Sequence, residues 1–138
     1  MEEQKKQTKP NNFIVQKCTA TSFFRALIEF FPSLKLSSRE KDVAARILFQ
    51  YFKLKDSIQD PEVLRDVLWS QNSRKDMRES LGMSQAHFQM ILGKLRSSGF
   101  LVDGHINWEY IPNMTNDPRF VLCIYFDWSS KSNPINNG

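Results

Sequence analysis

A glycine turn joins two helical patterns in the second half of the sequence. The segment LGMS at positions 81–84 separates a short helical pattern, for which Ser73 is the predicted cap, from a longer one. Gly82 suits the left-handed backbone that ends a helix, and Ser84 suits the N-cap of the next. The longer pattern carries apolar residues at helical spacing, namely Phe88, Ile91, Leu92 and Leu95. The spacing predicts two helices joined by a tight turn.

Strand patterns follow this pair of helices. Phe100–Val102 predicts a short strand, and the dipeptide Asp103-Gly104 is a strong signal for a hairpin turn. The next segment, His105–Ile111, alternates polar and apolar residues, which predicts a second strand. Ile106, Trp108 and Tyr110 are predicted to point to one side of this strand, and His105, Asn107 and Glu109 to the other. A third strand is predicted over Arg119–Trp128, and its apolar residues on both faces favour a central or covered position.

Two helix starts upstream of the turn carry clear capping signals. Ser37, followed three residues later by Glu40, forms a capping box and predicts a helix that ends near Lys55. Asp60 as N-cap, with Pro61 at the first helical position, predicts another helix. These two helices and the two on either side of the glycine turn predict a mainly helical core.

The first predicted helix is crowded with phenylalanines. Either Thr19 or Thr21 can cap it, and Pro32 ends it after Phe31. Adjacent rings cannot all face one core, so we expect some of them to contact a neighbouring subunit. The candidate subunit contacts are Phe23, Phe24, Phe30 and Phe31.

The composition is typical of one folded domain with polar ends. The chain has 138 residues, of which 41% are hydrophobic and 25% charged, and this excludes collagen-like, wholly disordered and disulfide-scaffold proteins. We expect a flexible arm at 1–12, a single domain at 13–128 that opens with a short strand, and a flexible tail at 129–138. Neither a signal peptide nor a membrane-spanning run is evident, so we expect the protein to stay in the compartment where it is made.

The sequence carries no signal for catalysis, a metal or a cofactor. Cys18 and Cys123 each lie in an apolar segment and are predicted to be buried free thiols. His87 and His105 lack the spacing of metal ligands. A phosphate-binding glycine loop and a nucleophile elbow are also absent from the sequence. We therefore expect a protein that is not an enzyme and uses no cofactor or metal.

The order helix, turn, helix and hairpin resembles the winged helix-turn-helix family. The stretch RKDMRESLGMSQAHFQMILGKLRSSGFLVDGHINWEYIP at 74–112 carries the resemblance, because it matches the turn, the core side of the second helix and the exit into the wing. The overall layout is also similar to small proteins of tailed bacteriophages, including the crAss-like group. The resemblance implies an α+β fold, with a mainly helical winged-helix core and a small antiparallel sheet.

In the winged-helix family, the second helix of the pair enters the DNA major groove and the wing touches the backbone. Carried over to this chain, the resemblance implies that the groove-facing residues are Gln85, Ala86, His87, Gln89, Met90 and Lys94. The implied phosphate contacts are Arg74, Lys75, Arg78, Lys94 and Arg96. Glutamine can pair with adenine, and Lys or Arg with guanine.

The charge pattern weighs against a DNA-binding wing. The segment Val102–Tyr110 contains Asp103 and Glu109 but no Lys or Arg. The net charge of +4 divides into +2 for residues 1–34, +2 for 35–83 and 0 for 84–138. No strongly basic region emerges, and the candidate contacts can equally be the polar faces of amphipathic helices.

Two functions remain open at this point. The first is a non-enzymatic structural or assembly component of a bacteriophage particle, in which a winged-helix-like fold, the polar arms and the helix at 21–31 dock onto other protein subunits, including copies of this chain. The second is a sequence-specific DNA-binding transcriptional regulator. The first implies location in the virion, and the second in the host cytoplasm. The acidic wing favours the first.

Overall fold

The computed structural model describes residues 18–114 and 128–129, where five α-helices precede a two-stranded antiparallel sheet. The helices are α1 (Ala20–Ile28), α2 (Ser38–Lys55), α3 (Pro61–Leu68), α4 (Gln71–Ser80) and α5 (Gln85–Ser98). The strands are β1 (Leu101–Val102) and β2 (His105–Ile106), and 3-10 turns cover Pro32–Leu34 and Trp108–Tyr110. The fold is mainly helical α+β, as predicted. The predicted arm at 1–12, the strand before α1, the third strand and the tail lie outside the described residues, apart from Cys18, Trp128 and Ser129.

Most predicted helix caps are confirmed. At the start of α2 the backbone N–H of Ser37 donates to Glu40 Oε1 at 2.9 Å, and the N–H of Glu40 donates to Ser37 Oγ at 3.3 Å. Asp60 accepts from the N–H of Glu62 at 2.9 Å at the start of α3. At other helix starts the caps are Thr19 for α1 and Ser84 for α5. These caps depend on neighbours three residues away or fewer, so the sequence alone can reveal them.

The cap of α4 differs from the prediction. Ser70, not Ser73, is the N-cap, and its Oγ accepts the N–H of Ser73 at 3.3 Å. Ser73 therefore lies in the first turn, where it is buried and accepts a hydrogen bond from Gln50 Nε2 at 3.0 Å. The prediction was wrong because Ser70 and Ser73 both suit an N-cap locally. The hydrogen-bond partner of Ser73, Gln50, lies on α2 and is not visible in the local sequence.

The first helix is shorter than predicted. It ends at Ile28, and the N–H groups of Phe30 and Phe31 donate to carbonyls only three residues earlier. Pro32 has no N–H to continue the α-helical ladder, and it disfavours helical backbone at Phe31, which adopts φ −116° and ψ 70°. The proline thus ends the regular helix several residues before its own position.

The second predicted strand is also shorter. The turn at Asp103 and Gly104 is confirmed, with φ of 53° and 79°, but β2 ends at Ile106. The backbone N–H of Asn107 still donates to the Phe100 carbonyl at 2.8 Å. Its side chain begins the next turn, because Oδ1 accepts from the N–H of Glu109 at 3.1 Å and Nδ2 donates to the Gly99 carbonyl at 3.0 Å. A 3-10 turn replaces the predicted alternation from Trp108 to Tyr110, and Trp108 is 79% exposed whereas Ile106 is buried.

The prediction for Cys18 is wrong as well, because this thiol is exposed. It precedes the N-cap of α1, and the residues from Thr19 to Ser22 around that cap are exposed too. Cys123 lies outside the described residues.

The longest helix, α2, forms the centre of the core. It packs against the four other helices, and Val43, Ile47 and Leu48 are completely buried in it. The second helix of the turn, α5, contributes Phe88 and Leu95 to the same core. This arrangement buries one face each of α4 and α5 and leaves their opposite faces available for a site.

Ion pairs join α1 to α2. Arg25 Nε donates to Asp42 Oδ1 at 2.8 Å, and Lys41 Nζ lies 2.8 Å from Glu29 Oε1. Hydrogen bonds from Lys41 and then Arg25 lower the pKa of Glu29 below its ordinary value. The carboxylates on this side of the molecule are thus already neutralised by neighbouring cations.

Candidate functional site

A groove with a volume of about 370 Å³ lies between α4 and α5. Its α4 wall carries three cations, Arg74, Lys75 and Arg78. Its α5 wall carries Gln85 and Gln89, with Phe88 between them. The structure therefore brings together five of the residues that the sequence proposed as DNA or partner contacts. The groove lies in the size range of ordinary binding clefts.

The spacing of the residues explains how one groove collects them. On α4, Ser73 and Met77 are buried, so Arg74 and Arg78, each one position later, share the adjoining stripe. The buried side of α4 packs Met77 into the core and joins Ser73 to α2 through the hydrogen bond from Gln50. On α5, Gln85 and Gln89 are four residues apart and therefore lie on one side of the helix.

The three cations of the groove have no acidic partner in the described part of the chain. The ion pairs there lie within or between α1, α2 and α3, and they use the cations Arg25, Arg39, Lys41 and Arg65. His105 of the hairpin lies 3.9 Å from Glu62 and forms an ion pair only when it is protonated. Arg74 and Arg78 are half-buried, while Lys75 is exposed. In addition, Arg74 Nε is buried and has no hydrogen-bond partner among the described residues. Buried donors are normally paired, so this wall of the groove is suited to an anion.

Three of the polar and charged residues predicted as contacts do not line the groove. His87 and Lys94 come two and nine residues after Gln85, which at about 100° per residue places both on the other flank of α5. Arg96 lies on the same side of the helix as Gln85, but about 16 Å further along the helix axis. Their roles as contacts stay predictions.

The outer face of α5 carries small or apolar side chains. Met90 is 58% exposed, and Ala86 and Ser97 are exposed on the same side. Gly93 lies between them, and a Cβ built there would meet no atom within 4 Å. This face is therefore both accessible and low in relief, which allows a close approach by a flat or grooved partner.

The candidate subunit contacts on and after α1 differ in accessibility. Phe24 is 4% exposed and stacks on Phe52 in the core, so its ring is not available at the surface. Phe23 is half-buried against Phe24, and Phe31 packs edge-on against Tyr110. Phe30 alone among the four is largely accessible, at 47%.

Besides Gln71, sequence reasoning missed a groove residue that makes a long-range contact, Trp69. Its ring lines the groove, and its indole Nε1 donates to the carbonyl of Gly104 at 2.8 Å. The apolar stripe of α3 ends at Leu68 and the cap of α4 follows at Ser70, so Trp69 belongs to neither pattern. Only a long-range contact reveals its role.

The described residues contain no cluster of His, Cys, Asp or Glu that could hold a metal ion. Likewise, no helix in residues 18–114 combines the length and apolar character needed to cross a membrane. In comparisons with known proteins, no family model, no curated protein and no solved structure matches this chain. The groove between α4 and α5 is therefore the feature from which a function can be argued.

Proposed function

We propose that this protein is a non-enzymatic winged helix-turn-helix regulator that binds duplex DNA through the groove between α4 and α5 and the outer face of α5. The observation that carries the proposal is the set of three cations, Arg74, Lys75 and Arg78, that line the groove without an acidic partner in the described residues. Anionic phosphates are the partners that such a wall favours, and they supply most of the affinity of DNA-binding proteins.

The order of elements supports this proposal. Helix α4, a turn with Gly82 at φ 61°, helix α5 and a hairpin follow one another along the chain. In winged-helix proteins this order places the second helix in the major groove. Here α5 would be the recognition helix, and α4 would lie across the sugar-phosphate backbone.

Residues on the groove wall and on the outer face of α5 can contact the edges of bases. Gln85 and Gln89 carry amides that can form bidentate pairs with adenine, and the exposed Met90 can contact a thymine methyl group. Because Ala86 and Gly93 have little or no side chain, α5 can approach the floor of the major groove of DNA closely. We therefore expect a preference for A·T base pairs over G·C pairs where α5 lies.

The proposal is tested by the salt dependence of DNA binding. The double variant Arg74→Gln, Arg78→Gln removes two proposed phosphate contacts. The negative slope of log affinity against log salt should therefore become shallower by about 2, at about 0.9 per contact. The measurement is fluorescence anisotropy of a labelled duplex across about 50 to 200 mM salt.

A matched control keeps the same change in net charge. Lys53 and Lys55 are exposed cations of α2 that do not line the groove. The double variant Lys53→Gln, Lys55→Gln should leave the slope close to that of the wild type. Equal loss in both double variants, or no wild-type binding at the lowest salt, would contradict the proposal.

A second candidate function is the assembly component of a bacteriophage particle. It is favoured by two exposed aromatic side chains, Phe30 and Trp108, which are suited to burial against a protein partner. It predicts a stable complex of protein subunits whose formation is lost in Phe30→Ser or Trp108→Ser. The cations of the groove, which have no acidic partner in the part of the chain that the structure describes, favour DNA binding over assembly, whereas the acidic wing alone favours assembly.

A further inference from the structure

We propose that Trp69 is a positioning residue that holds the hairpin turn at the edge of the groove between α4 and α5. The inference rests on the proposed function, because the groove is taken to be the site that DNA occupies. It goes beyond that function because it assigns a positioning role to Trp69, which lines the groove and also contacts the hairpin.

The backbone of Trp69 is fixed from both sides. Its N–H donates to the carbonyl of Arg65 at 3.1 Å, which makes Trp69 the C-cap of α3. The next residue, Ser70, is the N-cap of α4. A residue between two capped helix ends has little freedom, so the place from which its side chain extends is well defined.

The side chain joins the groove to the turn. The indole ring lines the groove, and its nitrogen, the only polar atom of the side chain, donates to the carbonyl of Gly104 at 2.8 Å. Arg65 lies close as well, since a Cβ on Gly104 would be 3.6 Å from Arg65 Cδ. The turn is thus packed against the junction of α3 and α4.

The hairpin needs such an anchor because it is very small. Each strand has two residues, with Leu101 paired to Ile106 and Val102 to His105. A two-stranded hairpin is marginal on its own, so its position depends on contacts with the rest of the protein. Leu101 and Ile106 are buried and secure its base, whereas the bond from Trp69 secures its tip.

This anchor determines where one negative charge lies. Asp103 immediately precedes Gly104 in the turn and is exposed. While the turn is held against Trp69, we expect the carboxylate of Asp103 to repel the phosphates of DNA bound in the groove and to lower the affinity. If the turn is released, the carboxylate can move away, and its effect on binding is lost.

The test combines hydrogen exchange with a double-mutant cycle. Trp69→Phe keeps a ring but removes the donor, and Asp103→Asn removes the charge while suiting the positive φ of this turn. We expect Trp69→Phe to speed amide exchange in residues 100–107 about fivefold, the equivalent of one hydrogen bond. We expect Asp103→Asn to raise DNA affinity about two- to threefold at low salt, and to have no effect when combined with Trp69→Phe.

The control is Trp108→Phe, which changes an exposed tryptophan and should alter neither exchange nor the effect of Asp103→Asn. Unchanged hairpin exchange in Trp69→Phe overturns the inference whether or not DNA binds. An equal gain from Asp103→Asn in both backgrounds overturns the positioning role and leaves the proposed function intact. Absence of wild-type DNA binding overturns both the proposed function and the role toward DNA, and hairpin exchange then tells separately whether Trp69 anchors the turn.

Discussion

At the scale of single residues, a buried contact between Gln50 and Ser73 supports the site. Both side chains are buried, and the hydrogen bond between them at 3.0 Å joins α2 to α4. Ser73 lies on the buried side of α4, next to the stripe that carries Arg74 and Arg78. A buried amide without its partner bears the full cost of losing water.

We expect Ser73→Ala to lower the free energy of unfolding by about 1 to 2 kcal/mol, because the amide of Gln50 then has no acceptor. Adding Gln50→Met removes the second polar group, so the double variant should lose less stability than the sum of the single changes. Urea denaturation of the four proteins measures this. If the losses of stability in the two single variants simply add in the double variant, the hydrogen bond between Gln50 and Ser73 is contradicted. A Ser73→Ala variant as stable as the wild type would contradict it as well.

Single residues also show which hydrogen bonds the sequence could predict. The caps at Ser37, Asp60 and Ser84 depend on nearby N–H groups, and all three are confirmed. The partner of Ser73 lies 23 residues away and that of Trp69 lies 35 residues away, so local patterns could reveal neither. Long-range contacts therefore account for both the misplaced cap and the missed groove residue.

At the scale of elements, the outer face of α5 is open along its length. Gly93 lies in the middle of this helix, and a Cβ there would meet no atom within 4 Å. Glycine in a helix interior costs about 0.8 to 1 kcal/mol relative to alanine. Nothing in the described fold requires a glycine here, whereas a close approach to DNA would.

We expect Gly93→Ala to raise the free energy of unfolding by about 0.5 to 1 kcal/mol. The larger Gly93→Gln should also stabilise the helix, yet it should weaken DNA binding at least tenfold because the side chain stands between α5 and the floor of the major groove. Thermal denaturation and anisotropy titration give the two quantities. If Gly93→Gln binds DNA as well as the wild type, this face of α5 does not contact DNA.

Elements differ in how well the sequence predicts them. The helices and the hairpin turn follow from periodicity, caps and the dipeptide at 103–104, and they are confirmed. The ends of α1 and β2 were predicted too late, because Pro32 acts on the preceding residues and Asn107 bonds to the backbone of Gly99 and Glu109. Alternation over His105–Ile111 therefore continued past the real end of the strand.

At the scale of the whole molecule, charge is distributed unevenly. The ion pairs of the described residues lie within or between α1, α2, α3 and the hairpin, whereas the cations on the α4 wall of the groove have no acidic partner there. A net charge of only +4 concealed this asymmetry in the sequence. Once folded, a modest excess of cations suffices to form one face suited to a polyanion.

Light scattering of the purified full-length protein, with and without a duplex DNA, tests DNA binding against assembly most directly. If the groove and α5 bind DNA, we expect a small protein species that gains the mass of the duplex at low salt and loses it again as the salt concentration rises. A large protein-only oligomer whose mass is unchanged by DNA at low salt would contradict DNA binding and favour the assembly function.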